Sequence, residues 1–127
     1  MGTITPTQRK LHAPTDFPKG WTWAQHRLHG MIGGNDYQTP PGTAIAAPFA
    51  GKVALESGEI SLRHRSGWSV VFLEAADALV GQRGVKQGEA LLVTGRKWLH
   101  LHGLTPTGKR VPWATARKAI AKYEAAH

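Results

Sequence analysis

The sequence predicts a mainly β domain closed by one short helix, and three observations carry that expectation. Fifteen glycines and eight prolines divide a chain of 127 residues into short segments, the pattern of strands joined by tight turns. Two segments, Glu59–Arg63 and Lys97–Leu104, alternate between side-chain types as half-buried strands do. Only at the C-terminus does the period lengthen. There an Ala- and Lys-rich run from Ala114 to Ala126 sets Ile120 and Tyr123 three apart, one modest apolar stripe on a helix.

Taken in order, residues 1–20 are polar, carry Pro6, Pro14 and Pro18, and read as an extended arm. Thr43–Ala47 and Gly51–Leu55 are two short strands around Pro48 and Phe49. Glu59–Arg63 is a strand, His64–Gly67 a turn, and Trp68–Leu73 the returning strand. Val85–Glu89 is a second turn, leading into the apolar strand Ala90–Val93. In Lys97–Leu104 the pleat sets Trp98, His100 and His102 on one face and Leu99 and Leu101 on the other. Pro112 suits the entry to the final helix. The division expected is an arm over 1–20, a β domain over 21–113 and a helical tail over 114–127.

Composition narrows the chemistry. With no cysteine there is neither a disulfide framework nor a thiolate metal site, so any metal rests on histidine and carboxylate. Sixteen Lys and Arg against eight Asp and Glu give a net charge of +8. That suits an anionic partner such as a phosphate-rich cell wall or an acidic protein surface, and equally suits plain solubility. The cations are scattered and the aromatic pattern of an RNA-binding sheet is absent, which argues against nucleic acid. No segment approaches the ~20 apolar residues of a membrane span. The first ten residues lack the apolar core of a signal peptide, and no export is expected from them.

The segment from Asp36 to Val53 is the most informative. An acidic residue precedes a Pro-Pro-Gly-Thr turn, Pro40–Thr43, and then a strand. Far downstream come His100 and His102 on one face of another strand. Two imidazoles and a carboxylate brought together from separate strands suit zinc, which takes three protein ligands and a water in catalytic sites.

On these residues the chain resembles the lysostaphin and LytM-type zinc endopeptidases, which cut peptide bridges in bacterial peptidoglycan. The family reads His-x-x-x-Asp, a Pro-x-Gly-Thr strand and then Ala-x-x-x-Gly-x-Val. Asp36, Pro40, Gly42, Thr43, Ile45, Ala47, Gly51 and Val53 follow that order. Ile60, Leu62, His64, Gly67, Phe72, the Val85–Glu89 element and the closing His100-Leu-His102 continue it. The likeness spans about residues 21–113. It implies a small antiparallel sheet or partly open barrel, with Asp36 and His102 as metal ligands and His100 assisting the attacking water or the oxyanion.

Two family positions depart from the pattern. Ile32 stands four residues before Asp36, where a histidine ligand is expected, and Glu74 stands where the second catalytic histidine is expected. His29 or His26 could replace the missing ligand across the Gly30–Gly34 stretch, with His29 assigned here, and Glu74 could act as general base or ligand. The resulting expectation is zinc as the cofactor, held by Asp36, His102 and His29, with His100 and Glu74 catalytic.

The incomplete set, the charged arm and the extra helix together suggest a bacteriophage virion protein of the tail or tail tip. Its degenerate peptidase-like domain would be structural or wall-contacting, its partners other virion proteins and peptidoglycan, and its place the virion, or the host cytoplasm before assembly. The alternative is an active zinc endopeptidase with rearranged ligands. A carrier-like β domain is disfavoured, since no Met-Lys hairpin is present. Trp68 and Trp98 are expected in the core, Trp21 and Trp23 as sugar- or partner-facing residues, and His64 facing solvent. Arg96 and Lys97 read as solvated cations. The tail helix should pack on the edge of the sheet or on a neighbouring subunit.

Overall fold

The computed structural model describes residues 10–127 apart from 57 and 74. Among the described residues, eleven strands and two α-helices follow one another. They are β1 (Leu11–His12), α1 (Trp23–Leu28), β2 (Asn35–Tyr37), β3 (Ala44–Ala46), β4 (Gly51–Glu56), β5 (Glu59–Arg63) and β6 (Ser69–Leu73). After these come β7 (Ala75–Ala78), β8 (Gly84–Val85), β9 (Ala90–Thr94), β10 (Leu99–Leu104), β11 (Arg110–Val111) and α2 (Trp113–Ala126). A 3-10 turn, Pro14–Asp16, follows β1.

The larger sheet runs β11-β10-β6-β5-β4-β8, with β2 beside the first half of β10; the smaller runs β1-β3-β9-β7. Neither closes into a barrel. All pairings are antiparallel except β1 with β3. The two sheets enclose one apolar core containing Ile45, Val53, Leu62, Val70, Phe72, Leu91, Leu92, Leu99 and Leu101. On β10 and β5 the alternation does what the period demands: Leu99 and Leu101, and Ile60 and Leu62, turn inward.

The Pro40–Thr43 turn has a specific cause. Gly42 lies at φ 84°, which glycine adopts without the Cβ penalty. The Pro40 carbonyl then accepts bonds from the hydroxyls of Thr43, 2.6 Å, and Thr94, 2.8 Å, tying this turn to the end of β9. Residues 18–21 follow the outer edge of β2, where the Gly20 N–H donates to the Asp36 carbonyl at 2.8 Å and the Asp36 N–H donates to the Trp21 carbonyl at 2.9 Å. The described part of the N-terminal segment is thus laid along both sheets.

Helix α2 packs on the sheet of its own chain. A Cβ on Gly103 of β10 would lie 2.7 Å from Ala116 Cβ, so glycine here sets how closely helix and sheet approach. Trp113 is buried and donates its indole N–H to the Tyr37 hydroxyl at 3.0 Å. Two expectations are corrected. Trp98 is 42% exposed; it precedes β10 on the histidine face, beyond the reach of the core, while Trp113 takes the central position. His64 is 2% exposed, because α2 covers its turn: its Nε2 lies 2.6 Å from Glu124 Oε1 and its Nδ1 2.9 Å from the Ser66 hydroxyl. That contact holds the Glu124 carboxyl below its ordinary range, the hydrogen bond from His64 being the main cause.

Candidate metal centre

Strand pairing supplies the first half of the site. Asp36 of β2 sits directly opposite His100 of β10, so the two side chains leave the sheet on one face. His100 Nδ1 lies 2.8 Å from Asp36 Oδ1. Position 34 has a matching requirement. A Cβ there would fall 2.1 Å from His100 Nε2 and 2.2 Å from Cε1, so the ring occupies space that only glycine leaves open. Gly33 does the same for Trp23, whose ring would meet a Cβ at 2.6 Å.

Helix α1 supplies the second half. Its start is a capping box: Thr22 Oγ1 accepts from the Gln25 N–H at 3.2 Å, and Gln25 Oε1 accepts from the Thr22 N–H at 2.8 Å. This fixes the first turn and turns His26 inward, where it is 2% exposed. His26 Nδ1 lies 2.8 Å from the Thr22 carbonyl oxygen. A carbonyl only accepts, so Nδ1 carries the proton donated to it, and the lone pair the ring can offer a metal is the one on Nε2. That nitrogen points at Asp36 Oδ2 from 3.3 Å. A lone pair and a carboxylate oxygen so placed repel unless a cation, a proton or a metal ion, lies between them.

His26, Asp36 and His100 thus each offer a donor atom within 4.8 Å of the other two. The His26 and His100 rings meet edge to face, with centroids 4.8 Å apart. Two imidazoles and a carboxylate, one imidazole oriented by a backbone carbonyl, are a donor set that fits zinc.

The other expected site residues lie around this cluster. His102 is buried on the same face of β10, its ring 6.4 Å from that of His100. It stands outside the three-donor group, and its Nδ1 lies 3.2 Å from Arg110 Nη1. A guanidinium only donates, so this nitrogen is an acceptor. Burial above all, then the Arg110 and His100 charges, push the His102 pKa down to about 4, and the ring is neutral at physiological pH. His29 caps the end of α1, is exposed, and stacks on Trp21 at 4.5 Å. One turn of helix separates the inward His26 from the outward His29. Ile32 is 66% exposed and has no atom that could coordinate a metal. Glu74 lies outside the described residues. The sequence offers His26 only as an alternative to His29, and nothing in it marks Thr22 or Arg110 as part of the site. The Thr22-x-x-Gln25 capping box was the readable sign that His26 belongs to a helix.

An antiparallel β domain carrying two histidines and an aspartate on one face of its sheet has the build of a metallopeptidase domain. No protein-family model matches the chain, and no curated protein does. Solved structures do. An M23 peptidase from Pseudomonas aeruginosa superposes with TM-score 0.64 at 26% identity, over 84% of this chain and 49% of that one. The catalytic domain of the antimicrobial peptidase lysostaphin from Staphylococcus simulans gives TM-score 0.66 at 17% identity, over 85% and 99%. A zinc-containing peptidase from Vibrio cholerae gives 0.62 at 20%, over 82% and 39%. The chain therefore has the fold of the lysostaphin-type M23 peptidases. It spans half or less of the P. aeruginosa and V. cholerae chains, and nearly the whole of the isolated lysostaphin domain.

Proposed function

We propose that the chain is a zinc-dependent peptidase domain acting on peptide bridges of peptidoglycan, with His26 standing in for the ligand that Ile32 cannot provide. The observation that carries this reading is the convergence of His26, Asp36 and His100 donor atoms within 4.8 Å. The likeness to lysostaphin supports the choice of substrate class. His26, oriented by the Thr22 carbonyl, would hold the metal together with Asp36 and His100. When bound, zinc supplies Lewis acidity toward a peptide carbonyl and a water acidic enough to be a nucleophile near neutral pH. His102 stays neutral beside them and keeps the Arg110 guanidinium at the back of the site.

The test is zinc content by mass spectrometry on protein purified without chelator, for the parent, His26→Ala and His29→Ala, with turbidity clearing of cell-wall suspensions alongside. About one zinc per chain is expected in the parent and in His29→Ala and much less in His26→Ala, with clearing lost in the same variant. Equal zinc in all three proteins sinks the His26 assignment.

A second reading keeps the fold and drops the catalysis: a phage tail or tail-tip component, resident in the virion, that touches the wall or its neighbours in an oligomeric assembly. Its support is the flank of the centre, where Leu28 is 82% exposed and Met31 and Ile32 are also exposed, an apolar cluster suited to protein contact. Metal-free protein without clearing activity, together with self-association lost on Leu28→Ser, would favour it.

A further inference from the structure

We infer that the outer face of the β4–β5 hairpin is a phosphate-binding site for a polyol-phosphate chain, separate from the metal centre. In the sheet order β6 stands between β10 and these two strands, so the two sites lie on different parts of the sheet. A hollow of about 550 Å³ opens there, between the hairpin, the turn after β5 and the end of α2.

Lys52 and Arg63 occupy directly opposed positions in the β4–β5 ladder. Like charges in such a pair repel, and neither residue has a carboxylate partner among the described residues. Arg65 adds a third cation at the rim. Ala50, Gly51 and Gly84 line the space between the cations without filling it. A Cβ on Gly51 would lie 2.4 Å from the Arg63 carbonyl oxygen, so the small residue there is a requirement of the pairing. The carboxylate on this rim, Glu124, is held by His64 and also feels the Arg65 charge, so Lys52 and Arg63 are the two cations that carry the site.

Two opposed cations, with Arg65 beside them, around a floor of small residues suit an anion with several oxygens. Arginine's planar fork favours phosphate among these. The rest of the ligand is constrained by what the hollow lacks. Among the described residues the aromatic ring lining it is His64, which is 2% exposed and packed edge-on between Phe49 and Tyr123; the nearby Tyr123 ring is covered, stacked by His127 at 4.1 Å and approached by Arg65 at 5.4 Å. A nucleobase finds no open aromatic face for the stacking that single-stranded nucleic acid uses. A flexible polyol-phosphate chain needs none.

The experiment is calorimetric titration of the full chain, at fixed ionic strength, with inorganic phosphate, a synthetic glycerol-phosphate oligomer and a single-stranded oligonucleotide of equal phosphate number. Lys52→Ala/Arg63→Ala is compared with Lys97→Ala/Lys118→Ala, which removes equal charge elsewhere. Loss of two charge-assisted contacts should weaken phosphate and glycerol-phosphate binding at least about tenfold in the first variant. The control should stay within about twofold of the parent, its charges being screened at a distance. Equal weakening in both variants overturns the site in favour of general charge attraction, and so does absence of saturable phosphate binding. Tighter binding of the oligonucleotide than of the glycerol-phosphate oligomer overturns the ligand class. Folding is checked by melting without ligand. Because Lys52 and Arg63 repel, the pocket variant should melt no lower than the parent, and a collapsed melt contradicts the reading of an unsatisfied pair.

Discussion

Gly34→Ala tests the metal centre through a single methyl group. The residue is not in the left-handed region that glycine alone adopts freely, so the effect of alanine is expected to be steric. The added Cβ would sit 2.1 Å from His100 Nε2, well inside contact distance, and the imidazole must leave. Its departure breaks the 2.8 Å bond to Asp36, where a hydrogen bond to a charged group contributes about 1.5–3 kcal/mol. Forcing the ring off its rotamer adds about 0.5–1.5 kcal/mol. Removing glycine from the unfolded chain returns about 0.4–1 kcal/mol. The net expectation is a loss of about 1–4 kcal/mol, read by urea unfolding of metal-free protein. Zinc affinity, measured by competition with a chromophoric chelator, should fall by at least about tenfold as one ligand is displaced. Gly81→Ala is the matched control: it has ordinary backbone angles, and an added Cβ meets nothing within 4 Å. If Gly34→Ala unfolds at the same urea concentration as Gly81→Ala and keeps the parent's zinc affinity, His100 does not sit where the argument puts it.

Other perturbations probe the packing and charge around that centre. His102 has its pKa lowered from 6.5 to about 4. Above pH 6.5 the ring is neutral in both states; as pH falls from 6.5 toward 4 the unfolded chain takes up a proton that the folded chain refuses. Stability should therefore decline across that window by up to about 3 kcal/mol and level off below it, and His102→Gln should flatten that part of a urea-midpoint profile against pH. A profile unchanged by the substitution refutes the assignment. Ile120 is buried where α2 meets the core. Ile120→Ala should cost about 2–4 kcal/mol in chemical unfolding, whereas a cost under about 0.5 kcal/mol would mean that the helix does not hold the sheet.

The architecture was legible because most of its strands obey a local rule. Glu59–Arg63 and Lys97–Leu104 alternate, and Pro40–Gly42 and His64–Gly67 mark their turns. Strands β2, β8 and β11, two or three residues each, are too short to show a period, and they exist because longer neighbours offer them an edge. His64 shows the same limit for a single residue. Its turn is predicted correctly, yet its burial comes from Glu124, sixty positions away, and no window of sequence around His64 contains that partner. Trp98 misses its expected place in the core, and Trp113 fills it, for a related reason: both adjoin regular elements, and only the docking of α2 decides which one reaches the core.

The metal centre was legible in its chemistry and less so in its membership. Counting four residues back from Asp36 reaches Ile32, and that count takes no account of how the chain before it is folded. In this chain six residues, Trp23–Leu28, coil into a helix. The rise per residue falls from about 3.3 Å in a strand to about 1.5 Å in a helix, and a histidine ten positions from Asp36 comes within 3.3 Å of its carboxylate. The Thr22–Gln25 capping box starts that helix, and Gly33 and Gly34 leave room for Trp23 and His100 to close over the return. A ligand lost at one position of a spacing motif can therefore be replaced from a different element, provided the chain between is free to compact. The signs to look for are a helix cap ahead of the candidate histidine and glycines where the rings must pass. Ile32 alone is thus insufficient grounds for reading the centre as dead, because the test of a donor set is where its nitrogens and oxygens converge.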